Sequence, residues 1–245
     1  MTLHLDFETF SEQNLPKVGA ERYAEDMSTC VLMAGSARNG GRPKVQDTDL
    51  KSASFLDRVR DGEPIAAHNA GFERNVWESY CVPVLGWPQV PLSQWRCTAA
   101  QAASLGLPRS LDMALKALGA PIEKAKTGTR LINLFCKPQK DGRRVFPEDA
   151  PEKWEQFLDY NFDDVIGEQW IDQRLPPLSD EEQKVYELDG LLNSRGIPVD
   201  VDLAKRAIAQ VRDIDERLQL RCLELTGLKA SQRDKVLDWL QTKGC

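Results

Sequence analysis

Between Leu3 and Glu8 the chain alternates strictly, Leu3, Leu5 and Phe7 against His4, Asp6 and Glu8. Successive side chains of a strand point to opposite faces, so this segment predicts a strand with one apolar face and one face carrying two carboxylates. Asp6 and Glu8 then stand roughly 7 Å apart along the strand. Two acids in the middle of a largely apolar strand repel each other and are poorly solvated unless a cation sits between them. Hard divalent cations such as Mg²⁺ and Mn²⁺ take oxygen ligands of this kind. The competing reading is an exposed polar face on an edge strand.

The order of the remaining patterns fixes the class. Residues 30–34 are a second apolar run, ending at Asn39-Gly40-Gly41, a hairpin signal. Residues 51–60 have helical spacing, stopped by Asp61-Gly62. Residues 64–69 read as a buried strand that runs directly into a helix over 72–80, and 95–98 as a further strand. Helices are predicted over 98–105, 110–118 (capped by Ser110) and 127–136. A polar loop over 137–151 leads into a long helix from about 152 to 173. Strands first, with helices over them, predict an α/β sandwich around a mixed sheet. Leu175-Pro176-Pro177-Leu178-Ser179-Asp180 reads as a boundary, and beyond it the chain is nearly all helical, over 181–195 and 203–225. The sequence stops in mid-pattern, which reads as a fragment of something longer.

Two further acidic positions follow from this layout. Glu73 falls in the first turn of the helix that follows the buried strand ending at Asn69, where an acid gains from the helix dipole and where ligands of α/β folds gather. Both a capping role and a functional one remain open. In Tyr160-Asn161-Phe162-Asp163-Asp164 the helical wheel gives an apolar stripe of Trp154, Leu158, Phe162 and Val165. Asp163 lies opposite that stripe and is expected in solvent. Asp164, one turn beyond Tyr160 on the same flank, is the functional candidate. A surface Tyr and Asp pair is the alternative.

Composition narrows the chemistry. No apolar run approaches the roughly 20 residues needed to cross a bilayer, and the amino terminus has no basic and apolar leader. Six scattered cysteines without a Cys-x-x-Cys pair read as reduced thiols of a soluble cytosolic protein. With only His4 and His68, a His-rich zinc site has little to draw on. The net charge of −6 argues against coating nucleic acid by bulk charge. One stretch departs from it: residues 124–144 hold seven basic residues (Lys124, Lys126, Arg130, Lys137, Lys140, Arg143, Arg144) against one acid, Asp141. A solvated face is the bland account of it.

Together the acidic motifs resemble the DEDD exonuclease superfamily, in the tyrosine subclass that proofreads for family A DNA polymerases. Asp6-Phe7-Glu8 is similar to its first motif, Asn69 to Glu73 to its second and Tyr160 to Asp164 to its third. Phage-type members of family A carry segments similar to Val18-Gly19-Ala20-Glu21-Arg22-Tyr23-Ala24-Glu25-Asp26, His68-Asn69-Ala70-Gly71-Phe72-Glu73-Arg74, Trp95-Arg96-Cys97-Thr98, Leu107-Pro108-x-Ser110-Leu111 and Lys137-Pro138. The resemblance covers residues 1–176 as an exonuclease domain with a ribonuclease H-like mixed sheet. Residues 177–245 resemble the helical opening of the polymerase portion, truncated before the palm and fingers motifs. Many members have Asp where this chain has Glu73, as phage-type relatives often do.

The resemblance implies hydrolysis of phosphodiesters at the 3′ end of single-stranded DNA, with two Mg²⁺ or Mn²⁺ ions held by Asp6, Glu8, Glu73 and Asp164, and Tyr160 orienting the attacking water. It implies substrate contacts at Phe7, Thr9, Asn69, Phe72, Lys126 and Lys137. Phe7, Phe72 or Leu107 are candidates to stack on terminal bases, with a core role as the alternative for each. The expected partners are a 3′ DNA end and a polymerase domain in the parent chain, in the cytoplasm of a bacterium or phage-infected host. RNA as substrate, or a weakly catalytic nucleic-acid-binding module of the same fold, are the competing functions.

Overall fold

The computed structural model describes residues 1–38, 40–122 and 128–244. Five strands form one sheet in the order β3-β2-β1-β4-β5. They are β1 (Leu3–Phe10), β2 (Cys30–Arg38), β3 (Lys44–Gln46), β4 (Ile65–Ala67) and β5 (Trp95–Cys97). Strand β2 pairs antiparallel with both β1 and β3, while β4 lies parallel to β1 and β5 parallel to β4. The fold is thus α/β, a ribonuclease H-like mixed sheet with helices on both faces, and β1 is its centre rather than an edge.

The central placement follows from the alternation. Leu3, Leu5 and Phe7 enter one apolar cluster with Phe55, Val59, Trp77, Trp87 and Trp95. Its rings pack at short range, with Trp77 and Trp87 centroids 4.6 Å apart and near edge-on. The opposite face receives the long helix α7 (Pro151–Asp172), which with α6 (Gly128–Phe135) closes a second cluster around Met33, Phe135, Trp154 and Phe157. A third cluster joins α4 (Thr98–Ser104) and α5 (Leu111–Ala117) to Ile171 and Leu175. Ser110 caps α5, its Oγ accepting from Met113 N at 3.4 Å.

Several local expectations are revised. The helical spacing over 51–60 resolves into a short turn at Leu50–Ser52 and a brief helix α2 (Leu56–Arg60), ended by Gly62 at φ 86°. A helix α1 (Leu15–Glu25) forms where no helix is predicted from the spacing, kinked at Gly19 with φ 81°. Helix α3 (Gly71–Val76) runs on into a wider-wound stretch, Trp77–Leu85, containing Pro83, which has no N–H to continue an α-helical ladder. The 30–34 run extends to Arg38 and pairs back on β3, as the hairpin signal predicts; Asn39 of that signal lies outside the described residues.

Contacts divide the chain into two compact units, Met1–Arg195 and Gly196–Cys245. The first includes helix α8 (Asp180–Arg195), because Gln183 Nε2 donates to Trp95 O at 3.2 Å and Tyr186 packs on the β1 aromatic cluster. The second holds α9 (Val201–Thr226), capped by Asp200, and α10 (Arg233–Thr242). Neither of these helices has a buried residue, and large apolar side chains such as Val211, Leu218 and Leu237 are exposed. No described helix is long and apolar enough to cross a membrane.

Candidate metal centre

Asp6 and Glu8 project from the centre of β1 towards α7, and α7 returns Asp164 to them. One carboxylate oxygen from each of the three lies within 4.8 Å of the other two. At an effective dielectric of about 20, each ionised pair at that separation of 4.8 Å repels by about 3 kcal/mol. That exceeds the roughly 1 kcal/mol that an ordinary hydrogen bond returns. The cluster therefore either holds protons or holds a cation. Without a cation, protonation is favoured: burial, then the charges of Asp164, Glu8, Glu73 and Glu168, push Asp6 well above the usual carboxylate range. Three hard oxygen donors on a half-buried face fit a divalent cation such as Mg²⁺ or Mn²⁺.

The close approach of α7 to β1 has a specific origin. Gly35 on β2 pairs with Asp6, and a Cβ at that glycine would collide with Asn161 Oδ1 and come 2.8 Å from Val165 Cγ2. The missing side chain admits Asn161, whose Nδ2 donates to Asp6 Oδ2 at 2.6 Å and to Asp6 O at 3.4 Å. Asn161 is fully enclosed, and its Oδ1 has no partner among the described residues. At Glu8, the buried thiol of Cys136 donates to Oε2 at 3.7 Å. Burial and the charge of Glu8 push that thiol up, so it remains a donor.

Glu73 is brought to the same face but stands outside the triple. Asn69, at φ 76°, takes a left-handed turn that Asn tolerates, and swings the chain from β4 into α3. Glu73 is then 4% exposed, with Oε2 unpartnered among the described residues. Burial raises its pKa well above the usual range against a backbone hydrogen bond, helped by the charges of Glu168 and Glu8. Arg74 does not neutralise it; its guanidinium lies 3.5 Å from Glu78 instead.

Tyr160 lies between Phe157 and the backbone of Gly128, where a Cβ would overlap its ring. Its hydroxyl hydrogen-bonds Asp164, and burial together with the Asp164, Glu8 and Asp6 charges raises its pKa. The choice of Asp164 over Asp163 matches the geometry, although Asp163 is half-buried rather than in solvent. The wheel expected for α7 is rotated: Phe157, Asn161, Asp164 and Glu168 face inward, while Leu158 and Phe162 are only partly covered, Phe162 under the Arg42 guanidinium.

Beneath the cluster sits a buried network the sequence reading missed. His4 Nδ1 lies 2.9 Å from Glu168 and Nε2 3.4 Å from Asp172. Burial opposes protonation of His4, but its hydrogen bonds and charge contacts with Asp172 and Glu168 outweigh it and raise it to about 9. Burial lifts Glu168 to about 7 despite that partner. The signal available was position alone: His4 shares the acidic face of β1, and Glu168 lies one turn beyond Asp164.

The other expected contacts scatter. Phe7 belongs to the core, 6.0 Å from Trp87, because alternation turns it away from the acids. The hydroxyl of buried Thr9 is engaged with Tyr23 Oη at 2.9 Å. Phe72 is half-buried against Tyr23, and Leu107 packs on the α4–α5 cluster. The side chain of Asn69 is exposed. Lys137 is exposed and donates to Asn133 Oδ1 at 2.8 Å. Lys124 and Lys126 lie outside the described residues. Arg144 leaves the solvated set, since its guanidinium stacks 4.3 Å from the Phe10 ring centroid.

No family model matches the chain. A DNA polymerase of Bacillus phage SP02 is 37% identical over 256 aligned residues, which take in 99% of this chain and 39% of that protein. The chain thus spans about two fifths of the length of the curated relative it matches.

Proposed function

We propose that this chain is a 3′–5′ exonuclease domain of the polymerase-associated, proofreading type, acting on single-stranded DNA ends with two Mg²⁺ or Mn²⁺ ions. The observation that carries the reading is the meeting of Asp6 and Glu8 from β1 with Asp164 from α7. Similarity to part of a phage DNA polymerase supports the substrate class. On this reading residues 1–176 are the nuclease and residues 177–245 open a polymerase portion, whose remainder would cover the exposed apolar faces of α9 and α10. The proposed setting is the cytoplasm of a phage-infected or bacterial cell.

Asp6, Glu8 and Asp164 would hold one ion, and Glu73, across the same face, would share in the second. Such ions lower the pKa of a bound water and offset charge on the phosphate oxygens. The protein's own part is positioning. Asn161 fixes one oxygen of Asp6 and so sets which one faces the cluster. Tyr160, whose hydroxyl stays protonated at neutral pH, can donate a hydrogen bond but cannot abstract a proton. It therefore acts by orienting Asp164 and the attacking water. His4, held protonated, offsets the buried charge of Asp172 and Glu168 behind the cluster.

The test is digestion of a 5′-labelled single-stranded DNA with Mg²⁺ or Mn²⁺, beside EDTA and Asp6→Ala controls and a matched RNA. The expected outcome is a ladder shortening from the 3′ end of DNA and lost in both controls. Faster turnover of RNA would move the substrate class to RNA. Folded, metal-loaded protein that cuts neither strand would replace the nuclease reading with a binding module.

A further inference from the structure

We infer that Phe146 is a stacking platform for a nucleobase of the single strand, seated on Arg144 beside the acidic cluster. The inference takes its substrate class from the nuclease reading above. Among the described residues, Phe146 is the one aromatic side chain among the exposed large hydrophobics, at 48%. Its exposure is not that of a frayed loop. Phe146 N donates to Asp149 Oδ2 at 2.9 Å and Asp149 N returns to Phe146 O at 3.1 Å, so the backbone is closed into the turn that starts α7.

Behind the ring, the Arg144 guanidinium lies 5.0 Å from the Phe146 centroid and 4.3 Å from that of Phe10. Its NH2 group also lies 3.2 Å from Cys30 Sγ. The guanidinium thus touches both a buried ring anchored in β1, Phe10, and the exposed ring of Phe146. A flat, preformed aromatic surface backed by a cation suits the π-face of any base, and so binds without reading sequence.

The surrounding loop supplies the charge that a phosphate backbone needs. Lys137, Lys140 and Arg143 are exposed along it. Two of its acids, though exposed, are engaged by the loop's own N–H groups, Asp141 accepting from Arg143 N at 3.0 Å and Asp149 from Phe146 N. The same loop is tied to the metal centre at its start, where Cys136 meets Glu8 and Ser11 N donates to Cys136 O at 3.3 Å. A base resting on Phe146 would therefore belong to a strand entering beside Glu8.

Binding is measured by fluorescence anisotropy in EDTA, so that no strand is cut, using a labelled oligothymidylate and the same strand made abasic at its 3′ end. Wild-type protein should prefer the base-bearing strand by about tenfold. Phe146→Ala and Phe146→Leu should lose that preference, while Phe146→Trp keeps it. The leucine variant separates stacking from mere apolar contact, and the exposed position leaves the core of each variant intact. A wild-type preference that survives in Phe146→Ala, or its absence from wild-type protein, overturns the platform. Digestion with Mg²⁺ run in parallel judges the nuclease reading by itself: wild-type protein that discriminates bases but cuts nothing keeps the platform and loses the nuclease.

Discussion

Asp6 is the residue on which the electrostatics converge, since Asp164, Glu8, Glu73 and Glu168 all act on it. Its raised pKa, and that of Glu73, make the metal-free fold pH-dependent in a definite direction. A carboxylate whose folded pKa lies above its unfolded value binds more protons when folded, so stability falls as pH rises above the ordinary carboxylate range. His4 acts in the same sense. Its stabilising contribution is complete below the unfolded value near 6.5 and is lost as pH rises through about 9. Glu168, raised to about 7, adds a loss between its ordinary value and neutrality. Metal-free protein should therefore melt at a lower temperature at about pH 8 than at about pH 6. If the deprotonated cluster takes up Mn²⁺ as proposed, the ion should narrow that gap. A scanning calorimetry series with and without Mn²⁺ checks this; a metal-free melting temperature that rises over the same range contradicts it.

At the scale of elements, the site is an encounter between a strand and a helix that only a glycine permits. Gly35→Ala would drive a methyl group into Asn161 and Val165. It should cost about 1–3 kcal/mol in urea unfolding, the usual toll of overpacking, and weaken Mn²⁺ binding by displacing α7 from β1. Unchanged stability with unchanged metal affinity would show that α7 can retreat without disturbing the acids. The same encounter explains what could be read in advance. The acids of β1 were legible because period-2 alternation needs no partner to be recognised. Asp164 was legible through its spacing from Tyr160. The inward face of α7 was not, because at the site that face is polar: Asn161, Asp164, Glu168 and Gln169 are all buried there. An apolar stripe drawn on that wheel misses the very turn that carries these buried polar groups. The place of Arg144 was not legible for a related reason, since the rings of Phe10 and Phe146 beside it are joined to it only by the fold.

At the scale of the molecule, all of these acids lie in the first compact unit, Met1–Arg195. A chain ending at Arg195 should keep the Mn²⁺-induced rise in melting temperature of the full chain. Loss of that rise would make the second unit part of the metal centre's support. The layered α/β architecture was legible from the order of strands and helices, whereas the attachment of α8 was not, because Gln183 and Tyr186 reach residues of β5 nearly ninety positions earlier. That separation of partners along the chain has a further consequence, and it concerns time. A ribosome adding about 5–20 residues per second delivers Asp6 and Glu8 roughly 8–30 s before Asp164. Through that interval β1 can pair with β2 and later β4 while its two acids still face water. Only when α7 emerges and docks are they desolvated beside a third charge. The step that completes the cation site is thus also the step that its unneutralised charges most oppose, and Mg²⁺ present in the medium would ease the last stage of folding.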